Sequence, residues 1–215
     1  MIKVTSDHYI INGVKYPRIS RVLSIIPKPG LERWKRIVGE EQAAIIADES
    51  SRIGSMIHKI TEFNDTDQPS KLDALMSDNE WLAPFLYAWV EWVNKYVDHI
   101  LEVERMVVSD KHFCAGTLDR LVVMKGDSDP TLVDIKTGTL VYKPIVGLQL
   151  YGYKAALEEE IHKSPSEFSY KTVDKALVVH IPRVKPGNLS IVTFNPRNYH
   201  DEFTRTVKNY HEMMS

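Results

Sequence analysis

Apolar and polar positions change period several times along this chain. Residues 2–16 alternate weakly around Asn12-Gly13, a pair that favours a two-residue hairpin turn. The pattern predicts a small hairpin, residues 9–11 against 14–16. From residue 20 the period lengthens. Ser20 is a candidate N-cap for a short helix over 21–26, stopped by Pro27 and Pro29. A helix is predicted from about residue 31 to 48, with Trp34 turned toward the core. Another is predicted over 52–63, capped by Ser50 or Ser51, with Gly54 permitting close packing. Residues 64–69 read as a loop, and 71–76 and 79–96 as helical. Phe85, Ala88, Trp89, Trp92 and Tyr96 share one stripe of the last segment. That stripe is read as core, ahead of a stacking wall for single-stranded bases.

Beyond residue 100 the period drops to two. Residues 100–108 alternate as a strand, with Glu102 and Glu104 on one face. Residues 113–123 and 131–136 are two further strand candidates. The polar link 125–130 between them makes an antiparallel hairpin. A helix over 144–160, strands over 176–181 and 190–194 and a terminal helix over 195–214 complete the pattern. The expected fold is α/β, a restriction-endonuclease-like core with a small mixed sheet flanked by helices. The sheet would use strands near 101–108, 113–123, 131–136 and 175–181, and the N-terminal helices would fold over one side as a groove or arch. No repeat or domain boundary interrupts residues 1–215. They are read as one domain: a mainly helical part over 1–100, the core sheet over 101–194 and the terminal helix over 195–214.

Charge in the apolar strands marks where chemistry could sit. Asp134 and Lys136 lie two apart in Thr131-Leu132-Val133-Asp134-Ile135-Lys136-Thr137-Gly138, so on a strand they share a face. Opposite charges on a core strand are costly unless they pair or hold something. A surface strand with a simple ion pair is the other reading. The hairpin would bring Asp119 beside Asp134. Two carboxylates, a strand carbonyl and a lysine would then converge, an oxygen-rich arrangement that suits Mg²⁺. His58 and Glu62 are four apart on one helix face, as are Gln149 and Tyr153.

These residues fall into four short motifs: Gly54-Ser55-Met56-Ile57-His58, Gly116-Thr117-Leu118-Asp119, Asp134-Ile135-Lys136, and Gln149-Leu150-Tyr151-Gly152-Tyr153. In kind, order and spacing they resemble the RecB-like branch of the PD-(D/E)XK nucleases. Within it the chain looks most like the phage and mitochondrial genome-maintenance single-strand exonucleases. The likeness covers roughly residues 17–157 and includes Ile19-Ser20-Arg21-Val22-Leu23 and Leu31-Glu32-Arg33-Trp34-Lys35. The resemblance implies metal-dependent cleavage of DNA phosphodiester bonds. It implies Asp119, Asp134 and the Ile135 carbonyl as ligands of Mg²⁺ or Mn²⁺, helped by His58, with Lys136 on the attacking water. It implies Gln149, Tyr153, Arg21 and Lys35 as DNA contacts, and Glu62 and Glu104 in an outer shell. The expected partners are DNA, chiefly single-stranded, and a replication or recombination protein, in a bacterial or phage-infected cytoplasm. Two other readings stay open. One is an endonuclease or double-strand exonuclease of the same fold; the other is a catalytically silent DNA-binding or partner-binding module.

Composition narrows this further. Hydrophobic content of 43% and charged content of 26% are ordinary for a globular chain. No apolar run approaches the roughly 20 residues of a membrane span, and the start lacks the apolar stretch of a signal peptide. One cysteine, Cys114, cannot make an internal disulfide, so an intracellular setting is expected. Nor can it hold a four-thiolate iron–sulfur cluster. The net charge is -2, but residues 1–60 hold 10 Lys/Arg against 6 Asp/Glu, while 61–104 hold 2 against 10. A basic face can bind phosphate on an acidic chain, since salt confines each field to about 10 Å. No P-loop (GxxxxGK[ST]) is present.

Overall fold

The computed structural model describes residues 2–214. The predicted hairpin forms between β2 (His8–Ile11) and β3 (Val14–Pro17), and β1 (Ile2–Val4) adds a third antiparallel strand. Asn12 and Gly13 both take positive φ, 49° and 86°, as a type I′ turn requires. Next come α1 (Ile19–Val22) and a 3-10 turn over Leu23–Ile25. This helix starts ahead of the predicted cap. Arg18 occupies the N-cap position with no capping bond, and Ser20 lies inside. Burial of Ile19, Val22 and Leu23 fixes the segment instead.

Two helices then differ from the pattern reading. They are α2 (Pro29–Val38) and α3 (Glu40–Asp65), so the break falls at Gly39, not near Ser50. Gly39 has φ 86°, outside the helical region. Ser50 and Ser51 are mid-helix, and Ser55 Oγ donates to the Ser51 carbonyl four residues back, so hydroxyls are absorbed without a break. Trp34 is half-buried on a helix with no buried residue, so it is not core. In the first half of α3 only Ala43 is buried. α2 and the first half of α3 thus carry little buried surface. The start of α2 approaches the segment 140–146, with Lys28, Gly30 and Leu31 facing Leu140, Tyr142 and Ile145 across an apolar pocket of about 420 Å³.

The body is one five-stranded sheet in the order β4-β5-β6-β7-β8, with helices on both faces. Its strands are β4 (Val97–Ser109), β5 (Cys114–Met124), β6 (Pro130–Lys136), β7 (Lys175–His180) and β8 (Ser190–Phe194). Neighbours are antiparallel except β6 and β7. That parallel pair is joined through α6 (Lys143–Lys163), the crossover helix such a pair needs. One face of the sheet packs Leu118, Leu121 and Leu132 on α6, α1 and α7 (His200–Met214). The other packs Val122, Val133 and Val179 on α3 and α5 (Ala83–Tyr96), with α4 (Pro69–Ser77) alongside. Phe85, Ala88, Trp89 and Trp92 are buried there, as the stripe predicts; Tyr96, 38% exposed, is the exception. Gly152 of α6 lets the helix meet Phe203 closely, since a Cβ there would lie 2.7 Å from its ring. Among the described residues no helix is long and apolar enough to cross a membrane.

Candidate metal centre and its groove

The site forms where the β5–β6 ladder stops. The last ladder pair is Arg120 with Val133. One step further, the Ile135 amide donates to Asp119 Oδ2 at 2.7 Å. A carboxylate therefore replaces a backbone partner, which fixes its orientation and aims Oδ1 outward. Oδ1 lies 3.5 Å from His58 Nδ1. His58 projects from α3, and its Nε2 donates to the Ile135 carbonyl at 3.1 Å.

Glu104 completes the cluster. It lies on β4 between the pairs Val103–Arg120 and Arg105–Leu118, opposite Asp119. Its φ of 47° is unusual for a glutamate. This local twist also separates it from Glu102, contrary to the alternation of the sequence. Glu102 pairs with Arg105, which reaches Glu160 on α6, whereas Glu104 faces His58 at 3.7 Å. One ligand atom each from His58, Glu104 and Asp119 lie within 4.8 Å of one another.

Asp134 lies outside that set of three. Lys136 Nζ donates to its Oδ1 at 2.9 Å and stands 2.7 Å from Oδ2, which accepts no hydrogen bond although it is buried. Lys136 also donates to Gln149 Oε1 at 3.3 Å, and Gln149 Nε2 donates to the Tyr153 hydroxyl at 2.7 Å. Four residues predicted for the site are thus one chain of contacts. The Tyr153 ring lies over Gly116, where a Cβ would come within 2.5 Å of it.

Electrostatics follow from this packing. Burial alone would lower the His58 pKa, but Asp119 and Glu104 outweigh it and hold the imidazolium up to about 9. Burial raises the Asp134 carboxyl against the opposing pull of Lys136. Lys136 is pushed up, because Asp134 and Asp119 outweigh its burial. Tyr153 is held well above its ordinary value by burial and by those two carboxylates, so its phenol stays neutral. Cys114 is buried and its thiol is pushed up to about 12, which makes it unreactive.

A groove of about 540 Å³ opens beside the cluster, lined by His58, Ser51 and Ser55 of α3 together with Glu104, Tyr153 and Arg18. Glu62 lines it too, pairing with Lys59 at 2.6 Å. Arg21 and Lys35 are exposed on α1 and α2 and do not line it. Gly54 lies 3.5 Å, as a notional Cβ, from Thr137 Oγ1, so a methyl group would fit there.

Two residues of the site escape the sequence motifs. Arg120, fully buried, donates to Asp65 at 2.7 Å, Glu104 at 3.2 Å, Thr61 at 3.1 Å and the Asp119 carbonyl at 2.6 Å, and stacks on Trp89. It orients Glu104. Its signal in the sequence is the one that marks Asp134, a charge inside an apolar strand. Tyr9, whose hydroxyl bonds Thr117 Oγ1 at 2.8 Å, comes from the N-terminal hairpin and carries no such signal.

No protein-family model and no curated protein matches the chain. Among solved structures it is similar to the crystal structure of SSO0001, at 12% identity and a TM-score of 0.44, over 91% of this chain and 74% of that one.

Proposed function

We propose that this chain is a metal-dependent deoxyribonuclease acting as an exonuclease on single-stranded ends. The observation that carries the reading is the convergence of His58, Glu104 and Asp119 within 4.8 Å, beside the Asp134–Lys136 pair. The donor set fits a divalent cation. It offers an imidazole nitrogen and carboxylate oxygens, with the histidine oriented through its other nitrogen as metal-binding histidines commonly are. An imidazole among the oxygens favours Mn²⁺ over Mg²⁺ in affinity. Asp134, whose charge acts on both Asp119 and His58, is a neighbouring carboxylate held by Lys136. When bound, the ion supplies Lewis-acid stabilisation of the phosphoryl oxygens and lowers the pKa of a water.

The chain's own residues do the rest. Lys136, held by Asp134 and Gln149, presents an ammonium that can orient the attacking water. Gln149 and Tyr153 keep that ammonium in place. The polar groove receives the sugar-phosphate chain. Resemblance to the single-strand exonucleases supports a preference for a free end. Resemblance to RecB-like nucleases supports DNA as substrate, a replication, recombination or repair setting and a phage or bacterial cytoplasm.

The test is digestion of end-labelled linear single strands, duplex and closed circular single strands, with Mg²⁺, Mn²⁺ or EDTA. Linear single strands should be degraded with either ion, and EDTA should stop it. Rapid cutting of circles would favour an endonuclease instead. Binding without cleavage under any ion would reduce the chain to a binding module.

A further inference from the structure

The groove beside the cluster holds one cation that the protein leaves unmatched. Arg18 lines it, its Nε is buried, and that nitrogen has no hydrogen-bond partner. No carboxylate pairs with Arg18 among the described residues. The neighbouring charges are matched: Lys59 with Glu62 at 2.6 Å, and Glu104 with Arg120 at 3.2 Å. A buried donor with no acceptor is costly, and such groups are few in folded proteins. Arg18 is half-buried, and an oxyanion at the groove would meet its Nε and its charge together.

The guanidinium is also held in place before anything binds. Its Cζ lies 5.0 Å from the Tyr9 ring centre. Tyr9 is buried, and its hydroxyl is tied to Thr117, two residues from Asp119 on the same strand. Stacking therefore fixes Arg18 relative to the metal cluster and removes much of the ordering cost of binding. The ligand that fits is an oxyanion wide enough to take two N–H groups, and a phosphate matches that fork. Ser20 and Ser51 also line the groove.

We propose that Arg18 is a phosphate clamp, gripping a backbone phosphate of the nucleic acid strand next to the one placed at the His58–Glu104–Asp119 cluster. The proposal rests on the nuclease reading for its substrate, though not for the anion site itself.

Three measurements on the full chain test it, comparing wild type with R18Q and R18K. First, without metal, tripolyphosphate should raise the thermal midpoint of wild type and leave R18Q unmoved. Second, a fluorescent single-stranded oligonucleotide in EDTA should bind R18Q about tenfold more weakly. The slope of log affinity against log salt should be smaller by about 0.7, the share of one phosphate contact on a single strand. R18K, which keeps the charge and loses the fork, should bind with intermediate affinity and keep the wild-type salt slope. Third, with metal, R18Q should raise KM far more than it lowers kcat. Where R18Q lowers the unliganded midpoint, R18K carries the comparison. Equal affinity, salt slope and KM in all three proteins would overturn the clamp while leaving a working nuclease. An Arg18-dependent tripolyphosphate shift in a protein that neither binds nor cuts DNA would keep the anion site and overturn the nuclease reading.

Discussion

Gly116→Ala should be disproportionately damaging for the smallest substitution available. Gly116 is in β5 and does not need a positive φ, so backbone strain plays no part. The effect is steric. The added Cβ would lie 2.5 Å from Tyr153 Cε1, 3.1 Å from Cδ1 and 3.1 Å from Ile19 Cδ1. Ordinary carbon contacts are about 3.5–4.0 Å, so the ring edge must retreat by about 1 Å. Ile19 can yield at its flexible end. The Tyr153 ring cannot, because it is rigid, 7% exposed and tethered by its hydroxyl to Gln149. Overpacking of this kind costs about 1–3 kcal/mol, less about 0.4–1 kcal/mol regained from a stiffer unfolded chain. A net loss of about 1–2 kcal/mol lowers the midpoint of a chain this size by roughly 2–8 °C. Urea unfolding followed by tryptophan fluorescence measures it directly. Gly30→Ala, where nothing lies within 4 Å, is the control and should be neutral or slightly stabilising. In a Tyr153→Leu background the cost of Gly116→Ala should shrink, with a coupling of about 0.5–3 kcal/mol. Turnover should fall as well, since Tyr153 supports Gln149 and through it Lys136. Wild-type stability in Gly116→Ala, or an unchanged cost in the Tyr153→Leu background, refutes the packing argument.

Three further outcomes are expected. Asp119→Asn should lose at least about a hundredfold in nuclease turnover while folding, because an amide oxygen can still accept from Ile135; Asp119→Ala should also lose about 1–3 kcal/mol, since it strands that buried amide, and equal urea midpoints for the two would contradict this. His58 is raised to about 9 against 6.5 unfolded, so its protonated form stabilises the metal-free protein fully below about pH 6.5, and that contribution fades as pH rises through 9. Binding of Mn²⁺ must expel that proton, so affinity should climb about tenfold per pH unit up to about 9; calorimetry in buffers of different ionisation heat should show about one proton released per ion, and none released would remove His58 from the ligand set. Arg120→Leu should cost about 3–5 kcal/mol by leaving Asp65 buried and unpaired, and Asp65→Leu added to it should restore part of the loss in the same melting assay.

Residues related by local periodicity were legible in the sequence; residues related by a backbone irregularity were not. The 119–134 juxtaposition follows from two apolar strands around a polar link, and the ladder register bears it out. The Gln149–Tyr153 contact follows from four-residue spacing on α6. The α2–α3 break is hidden because the apolar period runs on past Val38-Gly39-Glu40, and only the Gly39 backbone shows the turn. Acidic Glu40 and Glu41 in the next first turn were the available signal. The place of Glu104 is hidden for a similar reason. Alternation puts it beside Glu102, but a residue at positive φ breaks alternation, and nothing in the side chains around it announces that.

Much of the charge in this sheet has a structural use. Lys136 neutralises Asp134, Asp119 caps the Ile135 amide, and Arg120 satisfies Asp65 and Glu104. A folded chain needs no more than that. What the structural roles leave over is the informative part. Asp119 spends one oxygen on the amide and turns the other toward His58. His58 anchors one nitrogen on Ile135 and aims the other at two carboxylates. The remaining capacity of Asp119, Glu104 and His58 converges on one point, where the His58 proton stands between the two carboxylates. Such a site gains by exchanging that proton for a cation of higher charge, and that exchange ties the reading of this chain to a measurable proton count.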